Sequence, residues 1–233
     1  MNSPQHLALF DLDHTLLPLD SDYQWADFLA RTGRVGDPIQ AQRRNQELMD
    51  QYNAGNLSAE ESAEFMLGLI ANQSHDTLME WQDAFMQEVI LPAILPQARE
   101  LVNNHMAQGH LCAIVTATNE FVTRPVAKAF GFEHLIATIP EANNGVYTGR
   151  IYGVPSFQAG KITRVDQWLH ELGLKREQFE HVWFYSDSPN DLPLMEVVSH
   201  PVATNPSHRL RHIAAERNWK IIDLFNDRLD AKS

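Results

Sequence analysis

The sequence predicts an α/β protein with a Rossmann-like parallel sheet and an inserted, all-helical segment. Short apolar runs of strand length alternate with amphipathic helical segments, a pattern typical of parallel sheets with right-handed crossovers. One such run, residues 6–10, precedes a block, residues 21–90, that is patterned as helices only. We therefore expect an α/β core of residues 1–17 and 92–233, with a helical cap of residues 18–91.

The first element is a strand over residues 6–10, because this apolar run is too short for a helix and two acids follow it at once. Asp11 and Asp13 lie at its carboxyl end, where open α/β sheets bind ligands. Alternate residues of an extended segment point the same way, so the two carboxylates can share one site. They repel each other and need a cation or a shared proton. Taken alone, this pattern is also typical of a loop start or a helix cap.

Cap signals and apolar periodicity predict four helices in residues 21–90. Each helix is expected to begin at a capping residue: Ser21 with capping-box spacing to Gln24, Asp37 before Pro38, Ser58 with capping-box spacing to Glu61, and Ser74. The Trp, Phe and Met side chains of this block are expected to form the core of a helical bundle.

The rest of the chain is predicted to alternate between strands and helices. Helices are expected near 97–106, 120–130, 160–172, 192–198 and after Ser207, and strands near 111–115, 135–139, 146–152, 181–185, 202–203 and 219–223. The turn Asn143-Asn144-Gly145 favours a hairpin before residues 146–152.

Composition excludes several classes of protein. The net charge of −12 argues against a nucleic-acid surface, because binding a phosphate backbone needs clustered Lys and Arg. The single cysteine, Cys112, excludes an intrachain disulfide and a Cys-rich zinc site. No basic, apolar leader and no run of about 18 apolar residues is visible, so we expect a cytoplasmic protein without a membrane span. The oligomeric state is left open.

Polar clusters follow three predicted strands and should converge on one crevice. The clusters are Asp11/Asp13/Thr15, Thr116/Thr118/Asn119 and Asp187/Asn190/Asp191, and Lys161 begins a helix between the last two. Carboxylate oxygens suit Mg²⁺, whereas a hydroxyl with free amides at a helix start and a lysine suit phosphate. Considered alone, Thr116 fits equally well as a β-branched strand residue without a role in binding. Lys161, considered alone, fits as a solvated lysine at a helix start. His14 is expected to pack or cap.

Four short motifs follow one another along the chain in this order: Asp-Leu-Asp-His-Thr-Leu, Ile-Val-Thr-Ala-Thr, Gly-Lys and Ser-Asp-Ser-Pro-Asn-Asp. Together they resemble the four motifs of the haloacid dehalogenase-like (HAD) hydrolase superfamily. The helical insert resembles the C1 cap of the subfamily that includes phosphoserine phosphatase. The resemblance spans essentially the whole chain and implies a Mg²⁺-dependent phosphatase that hydrolyses a small phosphomonoester metabolite through an aspartyl-phosphate.

The resemblance also implies a role for each motif residue. Asp11 would be the nucleophile, and Asp13 would protonate the leaving alcohol and then activate water, with Thr15 orienting the pair. Asp11, Asp13 through its backbone carbonyl, and Asp187 would bind Mg²⁺, and Asp191 would support the metal. The phosphate and substrate would be held by residues of the later motifs: Thr116, Ala117, Thr118, Lys161 and Asn190.

Specificity is expected to come from the cap, which would close over the crevice and exclude water. Candidate substrate contacts are polar residues near the hinge and on the second helix: Asp20, Asp22, Tyr23, Arg43, Arg44 and Glu47. The guanidinium groups of Arg43 and Arg44 could bind a carboxylate, and Asp20 or Asp22 could bind an ammonium. Phosphoserine and histidinol phosphate both remain candidates.

Three alternatives remain. A phospho-accepting signalling domain uses similar residues, but it is about half this length and has no helical insert. A dehalogenase would not need Asp13, Asp187 or Asp191. A binding protein on an inactive scaffold would not need these intact carboxylates.

Overall fold

The computed structural model describes residues 5–53 and 58–225. A seven-stranded sheet contains β1 (His6–Phe10), β2 (Leu111–Asn119), β3 (His134–Asn143), β4 (Val146–Tyr152), β5 (His181–Ser186), β6 (His200–Thr204) and β7 (Lys220–Ile222). The strand order is β4-β3-β2-β1-β5-β6-β7, and every pair is parallel except the β3–β4 hairpin. The predicted α/β fold class with a mostly parallel sheet is confirmed.

Helices connect the strands and lie on both faces of the sheet. In chain order they are α1 (Ser21–Arg31), α2 (Pro38–Asn53), α3 (Ala59–Gly68), α4 (His75–Phe85), a π-helical turn (Met86–Ile90), α5 (Leu91–Ala93), α6 (Pro96–Ala107), α7 (Glu120–Phe130), α8 (Ala159–Glu171), α9 (Leu192–Met195) and α10 (His208–Glu216). Helices α1 to α5 fall between β1 and β2, where the helical block is expected. The division into a core of residues 1–17 and 92–233 and a cap of residues 18–91 stays a prediction.

Strand β1 is the central strand because its side chains are apolar on both faces. Ala8 and Phe10 belong to one hydrophobic cluster, and Leu7 and Leu9 belong to the cluster on the opposite face. All four side chains are completely buried. Burial on both faces is typical of parallel strands covered by helices, and it fixes the position of the acids that follow Phe10.

An aromatic cluster joins the inserted helices to the sheet. The Trp25 ring of α1 lies 5.2 Å from the Phe85 ring of α4 and 5.7 Å from the Phe121 ring of α7. Phe28 packs beside both Trp25 and Phe85. Each such side chain buries a large apolar area, so the inserted helices are held against the helix that follows β2.

Several helix starts agree with the sequence, and one does not. Ser58 and Glu61 form the predicted capping box, and the side chain of Ser74 accepts the amide hydrogen of Thr77. Helix α1, however, is capped by Asp20, which accepts from the Tyr23 amide 2.8 Å away. The predicted Ser21 cap is wrong because Ser21 is already helical and its amide donates to another residue.

Several element ends also differ from the prediction, including those of β3, which extends to Asn143, and of β6, which spans His200–Thr204. Strand β2 continues to Asn119 instead of ending at Val115, because after a register shift Asn119 pairs with Thr138 of β3. Helix α9 ends at Met195 rather than at residue 198. Within residues 5–53 and 58–225, we find no helix that is both long and apolar enough to cross a bilayer.

A buried histidine links α6 to the sheet. His105 Nδ1 lies 2.8 Å from His110 Nδ1, and His105 Nε2 lies 2.7 Å from the hydroxyl oxygen of Tyr185. Burial, followed by the positive charges of His110 and Lys220, lowers the pKa of His105 to about 4. The folded protein therefore stabilises the neutral imidazole of His105.

We predict that His105 makes the free energy of unfolding fall as the pH falls from about 6.5 to about 4. In this range the unfolded chain binds a proton at His105, whereas the folded chain does not, so protonation favours unfolding. In urea denaturation at a series of pH values, His105→Gln should reduce the loss of unfolding free energy between about pH 7 and pH 5 by about 2 kcal/mol. The exposed His75→Gln is the control, and an unchanged pH dependence in His105→Gln would contradict the prediction.

Candidate active site

The site lies at the carboxyl ends of β1, β2 and β5, as the sequence predicts. Asp11 follows β1, Thr116 and Thr118 belong to the last part of β2, and Asp187 follows β5. These three strands are neighbours at the centre of the sheet, with β1 between the other two. Their ends face a cleft of about 890 Å³. Parallel pairing therefore brings together side chains that are far apart in the sequence.

A buried ion cluster forms the floor of the cleft. Lys161 Nζ donates to Asp11 Oδ1 at 2.9 Å and to Asp191 Oδ2 at 2.8 Å. Only 2% of Lys161, 7% of Asp11 and 3% of Asp191 is exposed, so water does little to screen this charge. Burial alone would lower the pKa of Lys161, but the two carboxylates outweigh it and raise the pKa. The lysine is thus a fixed positive charge.

The glycine before Lys161 lets helix α8 begin at this place. A Cβ atom on Gly160 would lie 2.2 Å from the backbone oxygen of Pro155, a distance that a side chain at this position could not tolerate. The Gly-Lys pair of the sequence therefore combines close backbone packing with a buried charge. Lys161 lies in the first turn of α8, directly behind the end of β1.

Thr15 connects the first and last acidic motifs. Its hydroxyl donates to Asp11 Oδ2 at 3.1 Å, lies 3.5 Å from Asp187 Oδ1, and accepts from the Asp187 amide at 3.1 Å. The preceding residue, His14, has a φ of 56°, and this left-handed residue turns the chain back towards β5. The backbone oxygens of His14 and Thr15 both accept from Asn205 Nδ2.

Asp13 is held by the first turn of α1 and by β2. Its Oδ1 accepts from the Ser21 amide at 2.7 Å, and its Oδ2 accepts from the Thr118 hydroxyl at 2.7 Å. Burial and the nearby charge of Asp20 raise the pKa of Asp13 to about 6, although these two hydrogen bonds oppose the rise. Asp13 can therefore exchange a proton near neutral pH.

The carboxylates after β5 also have raised pKa values. Burial, and then the charges of Asp11 and Asp191, raise the pKa of Asp187 to about 8. Burial raises the pKa of Asp191 to about 6 against the opposing attraction of Lys161, and the Ser186 hydroxyl donates to its Oδ2 at 2.7 Å. Burial is the largest cause of both shifts, and the negative charge of neighbouring aspartates adds to it.

A second cluster of acidic residues lies near the start of α1. Asp22 of α1 accepts from the Asn119 side-chain amide at 3.0 Å, and burial followed by the charges of Asp20 and Asp13 raises its pKa well above the usual range. Together with Glu60 of α3, Asp20 and Asp22 give this side of the cleft three carboxyl groups. Among the cleft-lining residues of the described chain, Lys161 is the one lysine or arginine.

The structure brings most of the predicted site residues into this cleft. Those that line it are Asp11, Asp13, Thr116, Ala117, Thr118, Lys161, Asp187, Asn190 and Asp191, together with the predicted cap contacts Asp20, Asp22 and Tyr23. Thr15 lies directly behind Asp11 and is completely buried.

Arg43, Arg44 and Glu47 are not among the residues that line the cleft. All three are exposed on α2, and the guanidinium of Arg44 lies 5.4 Å from the centre of the Phe65 ring. The expectation that both arginines meet the substrate does not fit this arrangement, because α2 carries them on its outer surface. Tyr23, on the facing helix, does line the cleft.

Other features were not predicted from the sequence. Glu60, which is not among the residues that the sequence predicts for the site, lines the cleft, and Thr118 bonds to Asp13 rather than standing free for phosphate. The bond between Asp22 and Asn119 joins residues 97 positions apart. One sequence feature could have indicated this acidic side of the cleft, namely the close spacing of Asp13, Asp20 and Asp22. Acidic residues this near to one another along the chain suggest a shared environment.

Comparisons with known proteins agree with this geometry. Residues 8–196 match the family model of the haloacid dehalogenase-like hydrolases. A histidinol-phosphatase from Neisseria meningitidis serogroup C is 39% identical over 94% of this chain and 99% of its own. The phosphoserine phosphatase SerB1 of Mycobacterium tuberculosis is 31% identical over 93% of this chain and 70% of its own.

A solved structure shows the same fold. The crystal structure of a protein of unknown function from Bordetella pertussis Tohama I is 60% identical, covers 96% of this chain and 100% of its own, and has a TM-score of 0.94. The expected fold class and the expected enzyme class, an HAD-type phosphatase, are confirmed. The chain belongs to the haloacid dehalogenase-like hydrolase family.

Proposed function

We propose that this enzyme is a Mg²⁺-dependent phosphatase that forms an aspartyl-phosphate on Asp11 and prefers histidinol phosphate. The observation that carries the proposal is the charge distribution of the cleft. One buried lysine lies beside Asp11 on the floor, and carboxyl groups line the side towards the inserted helices. Such a cleft suits a substrate with a phosphate at one end and an amine at the other.

The acidic residues of the floor fit a bound Mg²⁺. Magnesium prefers carboxylate oxygens and water, and Asp11 and Asp187 both approach the Thr15 hydroxyl within 3.5 Å. The charges of Asp11 and Asp191 add to burial in raising the pKa of Asp187, and a cation would neutralise these charges. Asp11, Asp187 and the backbone carbonyl of Asp13 would hold the ion, with Asp191 behind them. When bound, Mg²⁺ would supply positive charge against the repulsion between a carboxylate and a phosphate anion.

The chain's own residues can perform both halves of the hydrolysis. Asp11 attacks phosphorus, so an Asp11–phosphorus bond forms as the ester oxygen–phosphorus bond breaks, and the leaving alcohol takes a proton from Asp13. Asp13 then takes a proton from water, which attacks the aspartyl-phosphate, releases phosphate and restores Asp11. The charge on Lys161 offsets the negative charge of the phosphoryl group in both transition states.

The substrate preference follows from which charges the cleft can pair. Both candidate substrates carry a phosphate and an amine, but phosphoserine also carries a carboxylate. Among the described cleft-lining residues Lys161 alone is a lysine or arginine, and it is already bound to two aspartates, so this carboxylate would have no cationic partner. Histidinol phosphate carries an amine and an imidazole but no carboxylate. Its amine matches the carboxyl groups of Asp20, Asp22 and Glu60. The relative named histidinol-phosphatase, which covers nearly the same length, favours the same choice.

We predict that phosphate release with Mg²⁺ is faster from histidinol phosphate than from phosphoserine by about tenfold or more in kcat/KM, since the carboxylate of phosphoserine would enter an acidic cleft without a cationic partner and tenfold corresponds to about 1.4 kcal/mol. Steady-state assays of inorganic phosphate on both compounds measure this ratio. Asp11→Asn should abolish release from both, whereas the exposed Asp83→Asn should not. A ratio that favours phosphoserine would reject the substrate proposal and leave the phosphatase intact.

We predict that Asp22→Asn raises KM for histidinol phosphate about tenfold, because the variant keeps an oxygen for Asn119 but cannot take the negative charge that a bound ammonium group would favour on Asp22 against its burial. With p-nitrophenyl phosphate, which has no amine, KM and kcat should stay within about twofold. Asp27→Asn, on the same helix but not among the residues lining the cleft, is the matched control. Equal losses on both substrates would show a structural role for Asp22 and contradict the prediction.

A further inference from the structure

A group of metal-binding side chains lies at the end of the sheet opposite the active site. His6 and His181 are the first residues of β1 and β5 and form a register pair in the parallel ladder. Glu180 precedes His181, and its amide donates to the backbone oxygen of Gln5 at 2.9 Å. One ligand atom from each of His6, Glu180 and His181 lies within 4.8 Å of the others. Asp11 is five residues further along the first strand, about 16 Å away.

The imidazole of His6 has an unsatisfied buried atom. His6 Nδ1 is buried and has no hydrogen-bond partner, which is unfavourable for a polar atom. The His6 ring stacks on the His181 ring at 5.1 Å, and the His110 ring lies 5.0 Å from it. Burial lowers the pKa of His110, and its His6 and His181 neighbours lower it further. An imidazole binds a metal through a ring nitrogen, and the unpartnered Nδ1 of His6 is such an atom.

We propose that His6, Glu180 and His181 bind one Zn²⁺ ion, with water in the fourth position. Two imidazole nitrogens and one carboxylate oxygen are a donor set that zinc accepts, whereas the all-carboxylate floor of the active site favours Mg²⁺. In a tetrahedral zinc site, bonds of about 2.1 Å place the ligand atoms about 3.4 Å apart. The three ligand atoms lie within 4.8 Å of one another, so each pair would have to approach by at most about 1.4 Å to reach this spacing. The exposed Glu180 and the half-buried His181 leave an open path for the ion.

The ion would hold the amino ends of the two central strands together. His6 and His181 belong to β1 and β5, which are separated in the chain by the inserted helices and by strands β2, β3 and β4. A ligand bound only by the folded chain stabilises it, so zinc at this position raises the resistance to unfolding without entering the phosphatase reaction.

Calorimetric titration of the full-length protein with Zn²⁺, in excess Mg²⁺, tests this proposal. The wild type should bind one more ion than Glu180→Gln or His6→Gln, with a Kd of about 10 μM or tighter, and about 100 μM Zn²⁺ should raise its Tm by a few degrees more than theirs. Because Glu180 is exposed, Glu180→Gln should retain the wild-type Tm without zinc, which keeps the comparison valid if His6→Gln is unstable.

The matched control is His212→Gln combined with Glu216→Gln. It removes an exposed His–Glu pair, 3.3 Å apart on α10, and should leave zinc binding unchanged. The proposal is overturned if Glu180→Gln binds as many zinc ions as the wild type with the same Kd. It is equally overturned if the loss appears only in the α10 variant, or if the wild type binds no zinc.

Discussion

The buried ion pairs of Lys161 with Asp11 and Asp191 are the interaction on which the rest of the site depends. Charges with so little exposure are stable only when they are paired, and removing one partner of such a cluster typically costs about 3–5 kcal/mol. The three residues come from the end of β1, the start of α8 and the turn before α9. The cluster therefore forms only when the central strands and α8 are in register, and the same condition places Asp11 at the cleft.

The hinge to the inserted helices is tied to the reacting groups by two hydrogen bonds. The Ser21 amide binds the carboxyl group of Asp13, and Asn119 at the end of β2 binds Asp22. Movement of α1 would therefore change the surroundings of the proposed acid and of the proposed amine contact together. This arrangement links the two questions of catalysis and substrate choice, because the first turn of one helix carries groups for both.

Much of the fold and the floor of the site could be predicted from the sequence, because they depend on local patterns. Local patterns identify the strand ends at Asp11 and after β5, and the Gly160-Lys161 pair identifies the start of α8. Parallel pairing of the strands then brings these positions together. The cap side was predicted less well. Whether Arg44 faces the cleft or Phe65 depends on the rotation of α2, and no local pattern records that angle. Asp20 rather than Ser21 caps α1 because Asp13 engages the Ser21 amide, which is a long-range constraint.

The proposed function requires that Asp11 carries the phosphoryl group during turnover. The most direct measurement is acid quenching of the enzyme during steady-state hydrolysis of ³²P-labelled histidinol phosphate, followed by peptide mapping of the label. We expect an acid-stable, alkali-labile ³²P-phosphate on the peptide that contains Asp11, and no ³²P label in Asp11→Asn. Label on another residue, or full turnover by Asp11→Asn, would contradict it.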